Sequence, residues 1–265
     1  MDNQVTWFEK YRPSKLSDYV CDEQSKKRYE HLIKTNLNQH LLFGGDAGTG
    51  KTTLSEIICK TIDCDYITIN GSDETSVDDI RGKVKSFIST TSFTGSGLKV
   101  IIYDEMEYLS KNGQAMLRKY MEDYVHRSRF ILCCNELDKV IAPIKSRCSN
   151  IFLKSPTSKM VKERLKFILE SEDIKYSESD LNDYINVFYV PDKDFRRVIN
   201  ELQSNSIDNE LLATEKHIYP EYQRFYELFS KMDFDVQYDW KLEQSELIEL
   251  KNLQKLNGFL IKTIK

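Results

Sequence analysis

The chain has 265 residues, of which 40% are hydrophobic and 30% charged, with a formal net charge of -4. That is long and apolar enough for one full α/β domain plus one or two small ones, which excludes a disordered polymer. The slight acid excess excludes a protein coated in positive charge, so any nucleic-acid contact has to come from a local patch or a ring of several copies.

Residues 1 to about 40 hold a polar entry, an aromatic and basic segment from Trp7 to Pro13, and a helical pattern from Glu23 to Lys34. Short β-rich runs at 40–44, 66–70, 99–103 and 129–134 then alternate with helical patterns at 51–62, 77–90 and 111–124. This alternation predicts a parallel, doubly wound sheet. A further strand is expected at 150–153. Beyond Pro156 the strand signal gives way to helical patterns at 157–171, 178–188 and 192–204, which predict a small helical domain hinged at Ser155-Pro156. From about 208 onward the chain is rich in charge and aromatics and reads as mostly helical. The expected divisions are therefore 1–154, 155–206 and 207–265.

Six cysteines, at 21, 59, 64, 133, 134 and 148, form no C-x-x-C pair and read as reduced thiols. The first residues lack the layout of a signal peptide and no apolar run is long enough to cross a membrane, so a cytoplasmic protein is expected. The sequon Asn70-Gly71-Ser72 reads as a turn.

The stretch Gly45-Asp46-Ala47-Gly48-Thr49-Gly50-Lys51-Thr52, with Thr53 after it, fills every fixed position of G-x-x-x-x-G-K-[ST], after an apolar run, Leu41-Leu42-Phe43, and ahead of Leu54-Ser55-Glu56-Ile57-Ile58-Cys59, whose apolar residues recur at helical spacing. A strand-to-helix loop of this composition cradles phosphates: glycines let successive N–H groups curl toward a polyphosphate, a lysine reaches its outer phosphates, and a threonine holds magnesium. ATP and Mg2+ are the expected ligands.

The run Lys99-Val100-Ile101-Ile102-Tyr103-Asp104-Glu105 is an apolar strand ending in two carboxylates. In a phosphate-loop fold Asp104 would hold the metal's water shell, and Glu105 would orient and deprotonate the attacking water. Phe130-Ile131-Leu132-Cys133-Cys134 repeats the pattern and ends at Asn135, whose amide could reach the γ-phosphate or the attacking water. A plain strand-end turn is the alternative for Asn135. Nothing nearby in sequence supplies a transition-state cation from the far side. Arg147, in Pro143-Ile144-Lys145-Ser146-Arg147-Cys148, is the candidate for one delivered by a neighbouring subunit, and Arg196, in Asp194-Phe195-Arg196-Arg197, for one folded back over its own nucleotide. Either arginine could instead be a solvated surface charge.

Trp7-Phe8-Glu9-Lys10-Tyr11-Arg12-Pro13 contains an E-K-Y-R-P box, Gln114 to Glu122 reads Q-x-x-L-R-x-x-x-E, and Ser146-Arg147-Cys148 is an S-R-C motif. In this order, together with the phosphate loop, the motifs resemble the AAA+ ATPase subunits of sliding-clamp loaders. That group contains the small subunits of replication factor C and the large clamp-loader subunit of T-even bacteriophages. The resemblance covers residues 7 to about 203, and Asn70-Gly71-Ser72-Asp73 and Asp194-Phe195-Arg196-Arg197 look closer to the phage branch.

It implies an AAA+ domain, a helical lid and a collar; residues 207–265 match no part of the family's collar and read as a shortened collar, a fragment or a different partner-binding element. It also implies that Tyr11, Arg12 and Pro13 line the adenine side of the site, with Asn135 as first sensor, Arg196 as second and Arg147 as the finger acting in trans. The implied partners are other loader subunits, a sliding clamp and primer-template DNA, in a phage-infected bacterial cell if the phage branch applies. Arg81, Lys85 and Lys111 are the expected DNA contacts, and the stripe Ile80, Val84, Phe87 and Ile88 lies near where the family touches its clamp, with ordinary core packing as the alternative for those apolar residues. The alternatives are another AAA+ DNA motor or initiator, such as a branch-migration helicase, and a non-hydrolysing scaffold subunit.

Overall fold

The computed structural model describes residues 5–72, 77–92, 94–191 and 193–213. In chain order the elements are α1 (Trp7–Lys10), α2 (Glu23–Lys34), β1 (His40–Gly44), α3 (Lys51–Thr61), β2 (Asp65–Asn70), α4 (Val77–Ser89), β3 (Lys99–Asp104), α5 (Lys111–Asp123), β4 (Ser128–Cys134), α6 (Ala142–Lys145) and β5 (Cys148–Phe152). After them come α7 (Ser158–Ser171), α8 (Glu178–Tyr184), which runs on into a π-helical turn (Ile185–Tyr189), α9 (Phe195–Ser204), and the short strands β6 (Ser206–Ile207) and β7 (Glu210–Leu211).

The five long strands form one parallel sheet in the order β2-β3-β4-β1-β5. Its middle strands are apolar on both faces because helices cover both. Cys133 and Cys134 show the alternation: the first packs with Leu54 and Ile58 of α3, the second with Leu117 of α5 on the opposite face. The register sets Phe43 beside Cys133, Gly44 beside Cys134, and Tyr103 beside Leu132. The carboxyl ends of β1, β3 and β4 therefore share one edge, and the segments that leave them are the phosphate loop, Asp104-Glu105 and Asn135. In open α/β sheets this edge is where ligands bind.

The buried amide of Gln114 on α5 secures the segment after β4. Its Nε2 donates to the carbonyls of Leu109 and Lys139 at 3.0 Å each, and its Oε1 accepts from the Ile141 N–H at 2.9 Å.

Helices α7 to α9 enclose a separate apolar cluster that includes Trp7. Their starts are capped by the side chains of Thr157, Ser177 and Asp194, each accepting from a backbone N–H in the first turn. The Asp194 cap moves the start of α9 to Phe195, three residues later than the pattern predicts.

Two expectations change. Ile80, Val84 and Ile88 are fully buried in the core and Phe87 is half-buried against it, so this stripe is core packing and not a clamp-facing surface. Residues 206–211 form an antiparallel hairpin instead of helix. Its turn residues Asp208 and Asn209 take φ of 50° and 61°, the left-handed pair whose twist suits a two-residue hairpin. The remainder of the expected helical tail, residues 214–265, lies outside the described residues.

Candidate nucleotide site

The three segments at the sheet edge, α1 with the turn after it, and the start of α9 enclose a cavity of about 370 Å³, within the range of small-molecule sites. The phosphate loop lines it from Ala47 to Thr53. Gly48 and Gly50 have φ of 74° and 83°; a Cβ would lie 2.3 Å from Asp194 Oδ1 at the first and 3.0 Å from the Tyr19 ring at the second. Gly50 is the amino-terminal cap of α3 and, without a side chain, makes no cap bond to the N–H groups of that first turn. They remain available to an anion, with the helix dipole behind them. Tyr19 braces the loop by donating its hydroxyl to the Thr49 carbonyl at 2.9 Å, and burial pushes its phenol well above the usual tyrosine value.

Lys51 is buried, and its Nζ donates to the carbonyls of Gly45 and Asp46 at 2.8 Å each and to Asn135 Oδ1 at 2.7 Å. Burial lowers its affinity for the proton, which the nearby charges of Asp104 and Glu107 partly restore. The Thr52 hydroxyl donates to Asp104 Oδ2, and Asp104 Oδ1 accepts from the Glu105 N–H at 3.0 Å. Glu105 itself adopts φ of 53°, a left-handed conformation that turns the chain sharply at the strand end.

These residues fit a triphosphate and a hard divalent cation. An ammonium held only by carbonyl and amide oxygens can be transferred to phosphate oxygens, and a hydroxyl with a carboxylate is an oxygen donor set of the type Mg2+ prefers, completed by phosphate and water. Among the described residues no group of three or more His, Cys, Asp and Glu is gathered to cage a metal by protein ligands alone.

Of the expected site residues, Tyr11, Arg12, Pro13, Gly48, Thr49, Gly50, Lys51, Thr52, Thr53, Asp104, Glu105, Asn135 and Arg196 line this one cavity, as does Ala47. Gly45 and Asp46 lie behind it and offer their carbonyls to Lys51. Arg12 reaches Thr53 at 3.3 Å and Glu56 at 3.2 Å on α3, whereas the Tyr11 hydroxyl donates to Glu172 beyond α7 at 2.8 Å. The box at Trp7–Pro13 thus ties the phosphate-loop helix to the helical segment. The Arg196 guanidinium lies over the Phe8 ring, 4.9 Å from its centroid.

Arg147 is not among the lining residues. It is exposed, pairs with Glu122 Oε1 at 2.5 Å and donates to the Pro143 carbonyl at 2.7 Å. Arg81, Lys85 and Lys111 are exposed on α4 and α5, away from the cavity.

Sequence reasoning missed Phe8, Tyr19, Arg164 and Asp194 as lining residues, and also Glu107, which holds Asn135. Arg164, whose guanidinium donates to the Tyr11 carbonyl at 2.7 Å, reads in sequence like any solvated charge on a helix. Asp194 left a signal in its capping position, and Glu107 left none.

A glycine loop with its lysine and threonine, an acidic strand end and a polar tip on the next strand define a phosphate-loop nucleoside triphosphatase domain. In agreement, the profile of the ATPase family associated with various cellular activities (AAA) matches residues 41–156. The chain belongs to the replication factor C small-subunit family of AAA+ ATPases. It is 36% identical over 220 residues to the replication factor C small subunit of Archaeoglobus fulgidus, covering 81% of this chain and 68% of that one. It is 37% identical over 213 residues to that of Haloarcula marismortui, covering 78% and 64%. The chain thus spans about two thirds of the length of these relatives.

They are archaeal proteins, and the expected bacteriophage origin gains no support from them. The fold matches that of the Thermotoga maritima RuvB Holliday junction branch migration motor with a TM-score of 0.66 at 18% identity, over 94% of this chain and 80% of that one; at that identity the likeness concerns the fold alone. No helix among the described residues is long and apolar enough to cross a membrane.

Proposed function

We propose that the chain is an ATP-hydrolysing subunit of a multi-subunit clamp loader that opens a sliding clamp and closes it around primer-template DNA in the cytoplasm. The observation that carries this reading is a division of the chemistry. Lys51, Thr52, Asp104, Glu105 and Asn135 meet in one cavity, while Arg147 stands exposed outside it, paired with Glu122. A cation so placed is suited to a neighbour's triphosphate and links hydrolysis to assembly.

In the proposed reaction Lys51 exchanges its carbonyl partners for the outer phosphates, and Glu105 orients the attacking water and takes its proton. Asn135 holds that water or the γ-phosphate by its amide. Mg2+ held by Thr52 and Asp104 would neutralise charge on the phosphate oxygens. Tyr11, Arg12 and Pro13 border the base, with Arg12 anchored on α3, and Arg196 approaches from the helical segment. Residues 155–206 act as a lid on the 1–154 domain, and 207–265 serve as a shortened collar. Arg81, Lys85 and Lys111 follow the DNA backbone without reading sequence, so binding falls with salt.

The test is ATP turnover by the assembly formed with co-expressed partners, with and without clamp and primed DNA. DNA should stimulate the wild type, and Glu105→Gln should bind ATP yet lose about a hundredfold or more in turnover. Absence of DNA stimulation from every assembly overturns the loader reading.

A further inference from the structure

Behind Asn135 lies a carboxylate that the chemistry above does not use. Glu107 belongs to the short 3-10 turn Met106–Tyr108 that follows the acidic strand end, and it is only 9% exposed. Its Oε1 accepts from the Asn135 side-chain Nδ2 at 2.6 Å and from the Asn135 backbone N–H at 3.2 Å. Its Oε2 is buried and meets no hydrogen-bond donor among the described residues. Burying a carboxylate with one oxygen unpartnered weakens the fold, so the arrangement calls for a use in the site.

That use follows from the inventory of donors and acceptors. An asparagine amide offers an acceptor at Oδ1 and two donors at Nδ2, a carboxylate only accepts, and an ammonium only donates. With Glu107 on one side and Lys51 Nζ on the other, 2.7 Å from Oδ1, a single orientation of the Asn135 amide satisfies both. Half a turn would set Nδ2 against the ammonium and Oδ1 against the carboxylate, and both contacts would repel. The acidic anchor also strengthens its bond beyond that of a neutral pair.

We propose that Glu107 is a positioning residue that locks the sensor amide. It holds Oδ1 of Asn135 on Lys51 before nucleotide arrives, and keeps the second Nδ2 hydrogen toward the cavity once Lys51 has moved onto the phosphates. This rests on the ATPase reading above. Without the lock the amide could follow Lys51 or turn its oxygen toward the triphosphate, where an acceptor repels an acceptor. Lys51, Asn135 and Glu107 then work as one chain, so that a change at the phosphates reaches the segment after β4 through a fixed amide and not a free rotor.

The experiment compares wild type, Glu107→Gln, Asn135→Ala and the double variant in the DNA-stimulated assembly, with a second readout on the full chain alone. Glutamine keeps the shape but presents both an acceptor and a donor, so it no longer dictates the amide. Glu107→Gln should lower kcat about ten- to hundredfold, the factor expected for losing a hydrogen bond to a charged group. The KM for ATP should stay within about threefold, and the change should cost nothing further in the Asn135→Ala background.

In nuclear magnetic resonance spectra of the chain without nucleotide, one Asn135 side-chain amide proton should lie downfield and exchange slowly, and lose both properties in Glu107→Gln. Wild-type kcat in Glu107→Gln, or an equal loss with and without Asn135, overturns the proposal. If Glu107→Gln does not fold, an ordinary, fast-exchanging Asn135 amide in the wild type overturns it equally. An inactive wild-type assembly would instead count against the loader reading, and the amide resonance would still decide the role of Glu107.

Discussion

Acid should weaken this protein through one buried imidazole. His40 opens β1, the strand that delivers the phosphate loop, and its Nδ1 accepts the backbone N–H of Phe130 on β4, the strand that delivers Asn135, at 3.1 Å. The ring is 6% exposed and lies edge-on to Phe130. Protonating Nδ1 would place two N–H groups head to head. Burial, and then the charge of Arg129, depress the imidazole to about 4 from its ordinary 6.5, with a backbone hydrogen bond at Met121 opposing them.

Because the folded value lies below the unfolded one, the associated stability is fully present above about pH 6.5. It drains away as pH falls toward 4, where the unfolded chain takes up the proton that the folded chain refuses. At roughly 1.4 kcal/mol per pH unit the loss across that window is about 3 kcal/mol, a large part of a typical domain's stability.

The assay is urea unfolding of wild type and His40→Gln at pH 7.5, 6.5, 5.5 and 4.5. Glutamine keeps an acceptor for the Phe130 N–H but does not titrate, and the carboxylates common to both chains cancel in the difference. The variant should be the less stable at pH 7.5 and should close the gap or overtake as the pH falls. A difference that stays constant from pH 7.5 to 4.5 would refute the reasoning.

Two further perturbations test the site. Gly48→Ala places a Cβ against Asp194 Oδ1 at a φ of 74°; it should cost about 1–2 kcal/mol in backbone strain and reduce the rise in melting temperature on adding ATP, both read by thermal denaturation. Arg147→Ala removes half of an ion pair whose side chains are 37% and 44% exposed, so its melting curve should match the wild type's. It should bind ATP normally and yet fail, in mixed assemblies, to activate the adjoining subunit's site; normal turnover in an all-mutant assembly would remove Arg147 from the mechanism.

The phosphate loop, the acidic strand end and the polar tip at Asn135 were legible in the sequence because each is a local pattern, an apolar run of strand length stopped by the residues that do the chemistry. Those same runs required a parallel sheet, since only strands covered on both faces are apolar throughout. Local capping also marked the starts of α7 and α8 to within a residue or two.

What the sequence could not decide was which distant side chains complete the site. Glu107 follows two other acidic residues in a short turn and looks like one more solvated charge until the register of β3 beside β4 brings it under Asn135. Arg147 and Glu122 lie on different elements, and Tyr19 meets the loop across some thirty residues. Likewise, the stripe on α4 had the spacing of either a core face or a docking face, and only packing against the sheet assigned it to the core. A periodic pattern tells which residues share a face; what that face meets depends on where the rest of the chain lies, and that is a property of the tertiary structure alone.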